Sequence, residues 1–530
     1  MSGIITLSIL FFVLGIIYIV VKSDINTIQK IVIGGCLIFF TVFELVLLGK
    51  IPGFFGDESF AMYDSWALAH YGIDSHLMHN PVYSLSSGGQ SVLYGHLAIP
   101  FMKAFGMNLA AFRFPMAFLT IFSVIFLIYS LLRIKINSNY VVGITISLTT
   151  CEWLLMYGRW ALDCSIVVPF FISILGCIFI SVSEHKKIYG YISLFLIALL
   201  SYCYVGLWII LPFLFACVIY IQLKCKNFNQ KDIIASILVS FILLIPIICY
   251  LLVQFCGVKP FKILWFSVGA LGATRAGSSM ITFKGNIIDN IVNNTFDSLK
   301  QLVTGNDLMF HSSIPNYSII HLLMFVLAVI GLFGRKNNKE DKFSKNLILL
   351  SLMLVPILLL VLPNFNHWSI IIVVLSIWSG LGLGKLLNLK KKFIIKAITI
   401  GIIFISTGIF TNYYFTDYLN KELTINQFPG YIINFKESRN FISKLNKLNV
   451  DNYYGIPFDC DSFMRCLEDP NPNDMDSLQK YHTDLPQQLQ SGKSAYIVQT
   501  KDVDNYDYLK SLSYIKMNVN GHSYTVFYNK

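Results

Sequence analysis

Residues 30–49 read KIVIGGCLIFFTVFELVLLG, and the loop that follows them carries Gly56-Asp57-Glu58-Ser59. An apolar run of about 20 residues is long enough to cross about 30 Å of hydrocarbon as a helix, and a helix satisfies its own backbone groups in lipid. Such runs recur at 4–22, 30–49, 113–133, 140–156, 160–181, 188–204, 206–223, 233–254, 317–334, 346–362, 367–386 and 393–412. The sequence therefore predicts a polytopic α-helical membrane protein of about 12 spans.

The composition supports this fold class. Of the 530 residues, 55% are hydrophobic and 13% are charged, and the mean hydropathy is +0.64. A soluble domain carries about 25% charged residues. The net charge of +11 would suggest nucleic acid in a soluble protein. Here the Lys and Arg residues fall mostly in short loops, where they set membrane orientation, so no nucleic-acid partner is predicted.

Basic residues occupy every second loop between the predicted spans. Examples are the loops with Arg133 and Lys135, with Lys186 and Lys187, and with Lys390-Lys391-Lys392. Lys and Arg are retained on the cytoplasmic side, so these loops mark the inner face. The outer face receives residues 50–112, 255–316 and 413–530. We expect a multi-pass protein of a bacterial cell membrane whose functional residues lie outside the cytosol.

The chain changes composition after residue 412, which predicts two domains. Residues 1–412 form a membrane domain that includes the outer loops 50–112 and 255–316. Residues 413–530 form a small extracytoplasmic α/β domain. Its strand-like runs are 453–457, 495–499, 514–519 and 523–528, with helical patterns at 435–448 and 506–512. Asn520-Gly521 predicts a hairpin turn, and the spacing of Cys460 and Cys466 allows a disulfide. A role of this domain in acceptor binding is a hypothesis.

The first outer loop holds two adjacent carboxylates, Asp57 and Glu58. Such groups are costly at a bilayer surface and occur where a proton is taken or a cation is held. The alternative is structural, with Asp57 capping a helix that starts at Glu58. Met62, Trp66 and later apolar residues recur at helical spacing, which predicts an amphipathic helix in the membrane interface, with Trp66 at headgroup depth. A second amphipathic stretch runs over 93–105.

The second outer loop, 157–163, contains Arg159 and Asp163. On a helix these residues would share a face at i and i+4 spacing. One interpretation is an internal ion pair that stabilises the helix start. The other is that Arg159 holds a phosphate while Asp163 faces a metal or a hydroxyl. The residues leave both interpretations open.

These features together resemble the GT-C glycosyltransferases, most closely the bacterial relatives of protein O-mannosyltransferases and of lipid A aminoarabinose transferase. The carboxylate pair, the compact second loop and Arg113-Phe114-Pro115-Met116-Ala117 carry the resemblance, which covers roughly 30–260. Two departures stand out. Two spans precede the carboxylate loop where the family commonly has one, and His79-Asn80-Pro81 replaces an expected lysine, which leaves the donor-phosphate contact unassigned.

The resemblance implies an inverting transfer of a sugar from a polyprenyl phosphate to a hydroxyl of an envelope glycopolymer, lipid or protein outside the cytosol. Asp57 would be the base, with Glu58 and Asp163 beside it. The other candidate substrate contacts, several of them for the phosphate, are Arg159, Arg275, Lys284, His79, Tyr83 and the backbone of Gly88 and Gly89. Oxygen ligands from Asp57 and Asp163 would suit Mg²⁺ or Mn²⁺, and the sequence does not decide between a metal and none.

Two other functions remain open. A transporter or flippase of a lipid-linked substrate would use the same cavity without breaking a bond, and it would place ionisable groups near the bilayer midplane. A polysaccharide polymerase or ligase would use a lipid-diphosphate donor and would depend more on outer arginines. Few mid-span charges and no internal repeat are visible, so the transferase is preferred.

Overall fold

The computed structural model describes residues 1–272, 279–307, 309, 312–314, 318–333, 338–425, 431–459 and 461–529. The helices of these residues are α1 (Ser2–Lys22), α2 (Thr27–Leu45), α3 (Gly56–Tyr71), α4 (Leu93–Phe105), α5 (Leu109–Arg133), α6 (Ser138–Thr149), α7 (Glu152–Tyr157), α8 (Val167–Glu184), α9 (Lys187–Leu200), α10 (Leu211–Lys224), α11 (Gln230–Phe255), α12 (Ile287–Thr304), α13 (Ser318–Phe333), α14 (Asn338–Leu352), α15 (Val355–Leu360), α16 (Ser369–Asn388), α17 (Phe393–Tyr413), α18 (Leu419–Ile425), α19 (Phe435–Asn446) and α20 (Ser462–Glu468).

The strands are short outside the C-terminal part. They are β1 (Phe54–Phe55), β2 (Tyr83–Ser84), β3 (Gln90–Ser91), β4 (Phe261–Ile263), β5 (Phe266–Val268), β6 (Ile432–Ile433), β7 (Asn452–Tyr454), β8 (Tyr481–His482), β9 (Ser494–Gln499), β10 (Ser513–Val519) and β11 (His522–Tyr528). Three two-stranded sheets pair β1 with β6, β2 with β3 and β4 with β5. A five-stranded sheet has the order β10-β11-β9-β7-β8.

Within the described residues, eight helical segments are long and apolar enough to cross a membrane, and three shorter apolar helices accompany them. The predicted count of 12 spans therefore stays a prediction. Several predicted spans differ in detail, and two of them adjoin the second outer loop. The run 140–156 is divided at Cys151 into α6 and α7, and the run from 160 becomes helical only at Val167, because residues 158–166 form an irregular segment.

Glycines bring the central helices together. α16 packs against α6 and α13 along Gly380, Gly382 and Gly384. A Cβ on Gly380 would lie 2.3 Å from the Cα atom of Ile144, and one on Gly382 would lie 1.9 Å from the carbonyl oxygen of Leu327. Small residues let membrane helices approach closely, so van der Waals packing replaces the hydrophobic effect that lipid does not supply.

Helix α12 has an unusual distribution of side chains. Its polar residues Asn294 and Ser298 are buried, and Asn294 Nδ2 donates to two carbonyl oxygens around α15 at 3.0 Å each. Its apolar residues Ile288, Val292 and Phe296 are 71%, 59% and 69% exposed. They share one face because they are spaced by four residues. An exposed apolar face on a helix that packs against the apolar helix α13 is typical of a helix that lies in the membrane interface.

Helix α3 differs from its prediction. Met62 is fully buried and Trp66 is 8% exposed, because α3 packs against α4 and against α20 from the C-terminal part. The apolar stripe therefore meets protein and not lipid, and the depth of Trp66 relative to the headgroups stays a prediction. Period alone does not distinguish a stripe covered by protein from one covered by lipid.

The C-terminal part follows its predicted elements closely. The predicted strands correspond to β7, β9, β10 and β11, and Val519 pairs with His522 around the two-residue turn Asn520-Gly521. Both turn residues have positive φ, of 53° and 72°, as a tight hairpin turn requires. The helical pattern at 506–512 is only a short 3₁₀ turn. Cys466 is a free, buried thiol, so it forms no disulfide, and Cys460 lies outside the described residues.

Candidate active site

Two buried arginines hold the segment between α2 and α3. The first is Arg113 of α5, which is fully buried. Its guanidinium donates to three backbone carbonyl oxygens, those of Leu48, Pro52 and Gly53, at 3.2, 2.7 and 2.6 Å. The same group pairs with Glu58 through two bonds of 2.9 and 2.5 Å. Arg113 therefore fixes both the incoming loop and the first turn of α3.

Glu58, predicted to be catalytic, lies at the centre of this arrangement and is fully buried. Besides Arg113, its carboxylate accepts the backbone N–H groups of Ala161 at 2.8 Å and of Phe55 at 3.5 Å. These bonds join α3 to α5 and to the segment 158–166. The geometry fits a residue that positions α3 rather than one that meets a substrate.

Arg159 holds the same loop from its other side. The guanidinium is fully buried and donates to the carbonyl oxygens of Phe43, Val46 and Ile51, the last two at 2.7 Å. The Cζ atom of Arg159 also lies 5.8 Å from the ring centroid of Tyr414, a residue of the C-terminal part, in a cation–π contact. Because residues 158–166 are not helical, the predicted i, i+4 relation to Asp163 is wrong. Arg159 is engaged with backbone oxygens and is not brought to an open phosphate site.

Asp57 stands in the first turn of α3 and is half-buried. The helix begins at Gly56 with Phe55 at its N-cap position, so the structural alternative of Asp57 as the cap is wrong. The backbone oxygen of Asp57 accepts the Nε2 amide of Gln90 at 3.0 Å. The preceding residue, Gly56, lies against the ring of Tyr431. The backbone N–H of Gly56 donates to the backbone carbonyl oxygen of Tyr431 at 3.1 Å.

Asp163 is nearly buried, at 6% exposure. Its Oδ2 accepts the backbone N–H of Ser91 at 3.2 Å, and its Oδ1 accepts that of Cys164 at 2.9 Å. Ser91 follows Gln90 directly, so adjacent residues of β3 contact Asp163 and Asp57. The β2–β3 hairpin thus contacts both acidic residues that the sequence placed in separate outer loops.

Asp64 anchors the hairpin of β2 and β3 from the side of α3. Its Oδ2 accepts the hydroxyl of Ser84 at 2.9 Å, and its Oδ1 accepts the N–H of Ser75 at 3.0 Å. Ser84 pairs with Gln90 across the hairpin. Asp64 therefore positions the strand whose amide reaches Asp57.

The loop after α3 contains a second buried carboxyl, Asp74. Its Oδ1 accepts the N–H groups of His76 and Met78 at 2.9 and 2.8 Å. Its Oδ2 has no hydrogen-bond partner among the described residues. Burial, together with the negative charge of Asp64, raises the pKa of Asp74 to about 7. The 72–79 loop thus carries a group that titrates near neutral pH.

The remaining predicted contacts of the first loop have structural partners. The Tyr83 hydroxyl donates to the carbonyl oxygen of Ser201 at 2.9 Å, and its ring stacks on Tyr250. Gly88 and Gly89 both have positive φ. The N–H of Gly89 donates to the turn oxygen of Ser86 at 3.2 Å, and a Cβ on Gly89 would lie 2.6 Å from a Leu271 methyl group. A glycine is needed there for close approach of the chain.

Two predicted contacts, His79 and Lys284, have exposed side chains. His79 is exposed, and its Nδ1 lies 2.8 Å from the oxygen of Gly72. Lys284 is exposed just before α12, where its backbone oxygen accepts the amide of Asn290 at 3.2 Å. Arg275 falls outside the described residues. Neither of these contacts involves Asp57 or Asp163, and the predicted role of Arg275 stays a prediction.

The donor set at Asp57 and Asp163 does not fit a resident metal. In the described part of the chain, no group of three His, Cys, Asp or Glu residues is arranged to hold one. Both oxygens of Asp163 accept backbone N–H groups. Mg²⁺ and Mn²⁺ need several oxygen ligands in near-octahedral geometry. No chemical step is therefore derived through a metal.

The space around the two acids is uneven. Beside Asp64, Gln90 and Ser91 the residues enclose a cavity of only about 20 Å³. On the side of Tyr431, a cleft of about 1040 Å³ opens into the C-terminal part. The larger cleft has room for several sugar units, and Tyr431 separates it from the first turn of α3.

Sequence reasoning missed the positioning residues. Arg113 entered only as part of a motif, although a charge inside the apolar run 113–133 is itself a signal. Asp64 lies off the apolar stripe of α3 and belongs to no motif. Gln90 and Ser91 act through an amide side chain and a backbone N–H, which leave no pattern in a single sequence.

The fold matches solved structures. The crystal structure of ArnT from Cupriavidus metallidurans bound to undecaprenyl phosphate matches with a TM-score of 0.52 at 10% identity, over 94% of this chain and 97% of that chain. The apo structure of the same protein gives a TM-score of 0.42 at 10% identity, over 93% and 98%. No protein-family model matches the chain, and no curated protein matches it.

The match to the lipid-bound structure extends the resemblance from roughly residues 30–260 to nearly the whole chain. At 10% identity this match establishes the fold and not the reaction. The predicted resemblance to the aminoarabinose transferase type is confirmed at that level. The chain therefore has the fold of ArnT from Cupriavidus metallidurans.

Proposed function

We propose that this protein is a membrane glycosyltransferase that moves a sugar from a polyprenyl-phosphate carrier to a hydroxyl of a cell-envelope acceptor on the extracytoplasmic face. The observation that carries the proposal is the placement of Asp57. It stands half-buried in the first turn of α3, while the neighbouring Glu58 is fully buried and bonds to Arg113 and to two backbone N–H groups. The fold shared with a protein that binds undecaprenyl phosphate supports the donor class.

The proposed step is a single displacement. The acceptor oxygen attacks the anomeric carbon from the side opposite the phosphate, and the bond from that carbon to the phosphate oxygen breaks. The lipid phosphate leaves with the electron pair, and the configuration at the anomeric carbon inverts. Asp57 takes the proton of the acceptor hydroxyl and later releases it to water. A positioned carboxylate contributes about 10²–10⁴-fold to such a rate.

The other side chains support this step by holding the chain in place. Arg113, Glu58 and Arg159 fix the segment that leads into α3. Asp163 and Asp64 hold the β2–β3 hairpin, whose Gln90 contacts the backbone of Asp57. The donor phosphate still needs a cation or N–H donors, and Arg275 and Lys284 stay predictions for that role.

The test is the Asp57→Asn variant of the full chain, assayed with defined polyprenyl-phosphate sugars. We expect transfer and slow donor hydrolysis to fall about 10²–10⁴-fold, with an unchanged melting temperature. The matched control is Asp297→Asn, on the exposed part of α12, which should retain wild-type turnover. Normal turnover by Asp57→Asn would remove Asp57 as the base.

The same assay separates the transferase from the transporter. A transporter would move a lipid-linked sugar across liposomes and release no lipid phosphate. The transferase releases lipid phosphate in step with sugar transfer.

A further inference from the structure

The C-terminal part contains a cleft that the reaction at Asp57 does not explain. Strands β8, β7 and β9 run parallel to one another. The lining of the cleft of about 1040 Å³ includes residues that follow these strands, at 455–459, 483–485 and 501–502. In open α/β sheets, ligands bind outside the carboxyl ends of parallel strands. The position of the cleft is therefore that of a ligand site.

At the cleft, the backbone at Gly455 closely approaches strand β9. Gly455 has a φ of +77°, and a Cβ there would lie 2.3 Å from the carbonyl oxygen of Ile497. A side chain at this position would force β7 and β9 apart at the floor of the cleft. Glycine at position 455 therefore allows the backbone arrangement that shapes this wall of the cleft.

The lining has a definite chemistry. Its charged side chains are three aspartates, Asp459, Asp484 and Asp502, against the single Lys501. Tyrosine rings, the amides of Gln499 and Asn520, the imidazole of His522 and several apolar side chains complete the wall. Carboxylates and amides bond hydroxyl and amino groups, and aromatic rings stack on the apolar faces of sugars and attract cations. The excess of negative charge disfavours a polyanionic polymer and favours a ligand with ammonium groups.

The cleft is continuous with the reaction loop. Tyr431 and Ile432 line it. Ile432 pairs with Phe55 in the β1–β6 sheet, and the ring of Tyr431 covers Gly56, the residue before Asp57. A chain-like ligand lying in the cleft would therefore have one end beside the first turn of α3.

We propose that this cleft binds the acceptor, and that the acceptor is a glycan whose sugars carry free amino groups. The identification of this ligand as the acceptor rests on the proposed transferase function. Binding of the glycan to the cleft can be measured without any donor. Removal of the whole C-terminal part is not a usable test, because the Tyr63 hydroxyl of α3 donates to the oxygen of Pro470.

The experiment is calorimetric titration of the full chain in nanodiscs with a glucosamine tetramer. The fully N-acetylated tetramer and a galacturonic acid tetramer are the comparison ligands. The cleft variant is Asp484→Asn with Asp502→Asn. The charge-matched control is Asp504→Asn with Asp507→Asn, two exposed residues that pair with Lys510 outside the cleft.

We expect the glucosamine tetramer to bind the wild type and the control equally, and the Kd to rise about tenfold or more in the cleft variant. The two comparison ligands should bind at least about tenfold more weakly than the glucosamine tetramer. Equal binding by the cleft variant, or no binding by the wild type, overturns the site. Equal binding of the N-acetylated tetramer overturns the amino preference.

The two proposals fail separately. If the wild type binds the glucosamine tetramer through the cleft but never releases lipid phosphate, the transferase fails and the glycan site remains. If transfer occurs and its acceptor KM is unchanged in the cleft variant, the transferase holds and the acceptor cleft fails.

Discussion

At the scale of single residues, the molecule depends on two buried guanidinium groups. Arg113 and Arg159 together donate to six backbone oxygens between residues 43 and 53. A non-helical segment in an apolar setting leaves such oxygens without partners, and an arginine supplies five donors in a fixed geometry. These residues act on Asp57 through the backbone, so their role is to position it.

Glu58→Gln tests that division of roles. The change leaves the Arg113 charge buried and unpaired, which should destabilise the fold by about 3–5 kcal/mol. We expect a clearly lower melting temperature in detergent, with turnover lost in proportion to folded protein. Asp57→Asn should show the reverse pattern. A Glu58→Gln protein with a wild-type melting temperature and no turnover would instead make Glu58 part of the chemistry.

Asp74 gives a pH-dependent prediction. Its pKa is raised from 3.8 to about 7, so the folded state binds the proton more tightly than the unfolded state does. The contribution of Asp74 to the free energy of unfolding is therefore fully present at low pH, and it is lost as pH rises from about 4 to about 7. Asp74→Asn stays neutral and keeps an acceptor for His76 and Met78.

Melting curves of the wild type and of Asp74→Asn between pH 5 and 8 test this. The variant should gain stability relative to the wild type as pH rises, by several degrees in melting temperature. A difference between the two proteins that does not vary with pH would contradict the buried, protonated carboxyl.

At the scale of elements, apolar periodicity predicts where helices lie, but it does not predict whether protein or lipid covers their apolar faces. The same kind of stripe is buried by protein on α3 and exposed on α12. The hairpin at Asn520-Gly521 was predictable, because two positive φ values in a two-residue turn demand those residue types. The bend at residues 158–166 could not be predicted from the sequence. It depends on Ala161 donating to Glu58, a contact between residues 103 positions apart.

Phe296→Trp tests the interfacial position of α12. Phe296 lies on the exposed apolar face, and Asn293 lies on the exposed polar arc. In nanodiscs with brominated lipids, the fluorescence added by Trp at 296 should be quenched strongly. Trp at 293 serves as the matched control and should be quenched little. Equal quenching at both positions would rule out an in-plane orientation with the apolar face toward lipid.

At the scale of the whole molecule, the C-terminal part completes the candidate site. β6 pairs with β1, Tyr431 covers Gly56, and the thiol of Cys466 donates to the oxygen of Ser59 at 3.2 Å. The sequence predicted the elements of this part well, because local patterns specify strands and turns. Its docking onto α3 could not be read from the sequence, because strands of two residues carry no periodicity.

The contact between Tyr63 and Pro470 joins residues 407 positions apart. During synthesis, the ribosome must therefore add most of the chain after α3 has emerged before that helix gains its cover. A growing chain already threaded into the bilayer holds Asp57 in an unfinished setting, because the partners of Gly56 and Ser59 have not yet been made. Long-range closure of this kind is slow relative to local helix formation. The first turn of α3 thus gains its full set of partners only when translation is nearly complete.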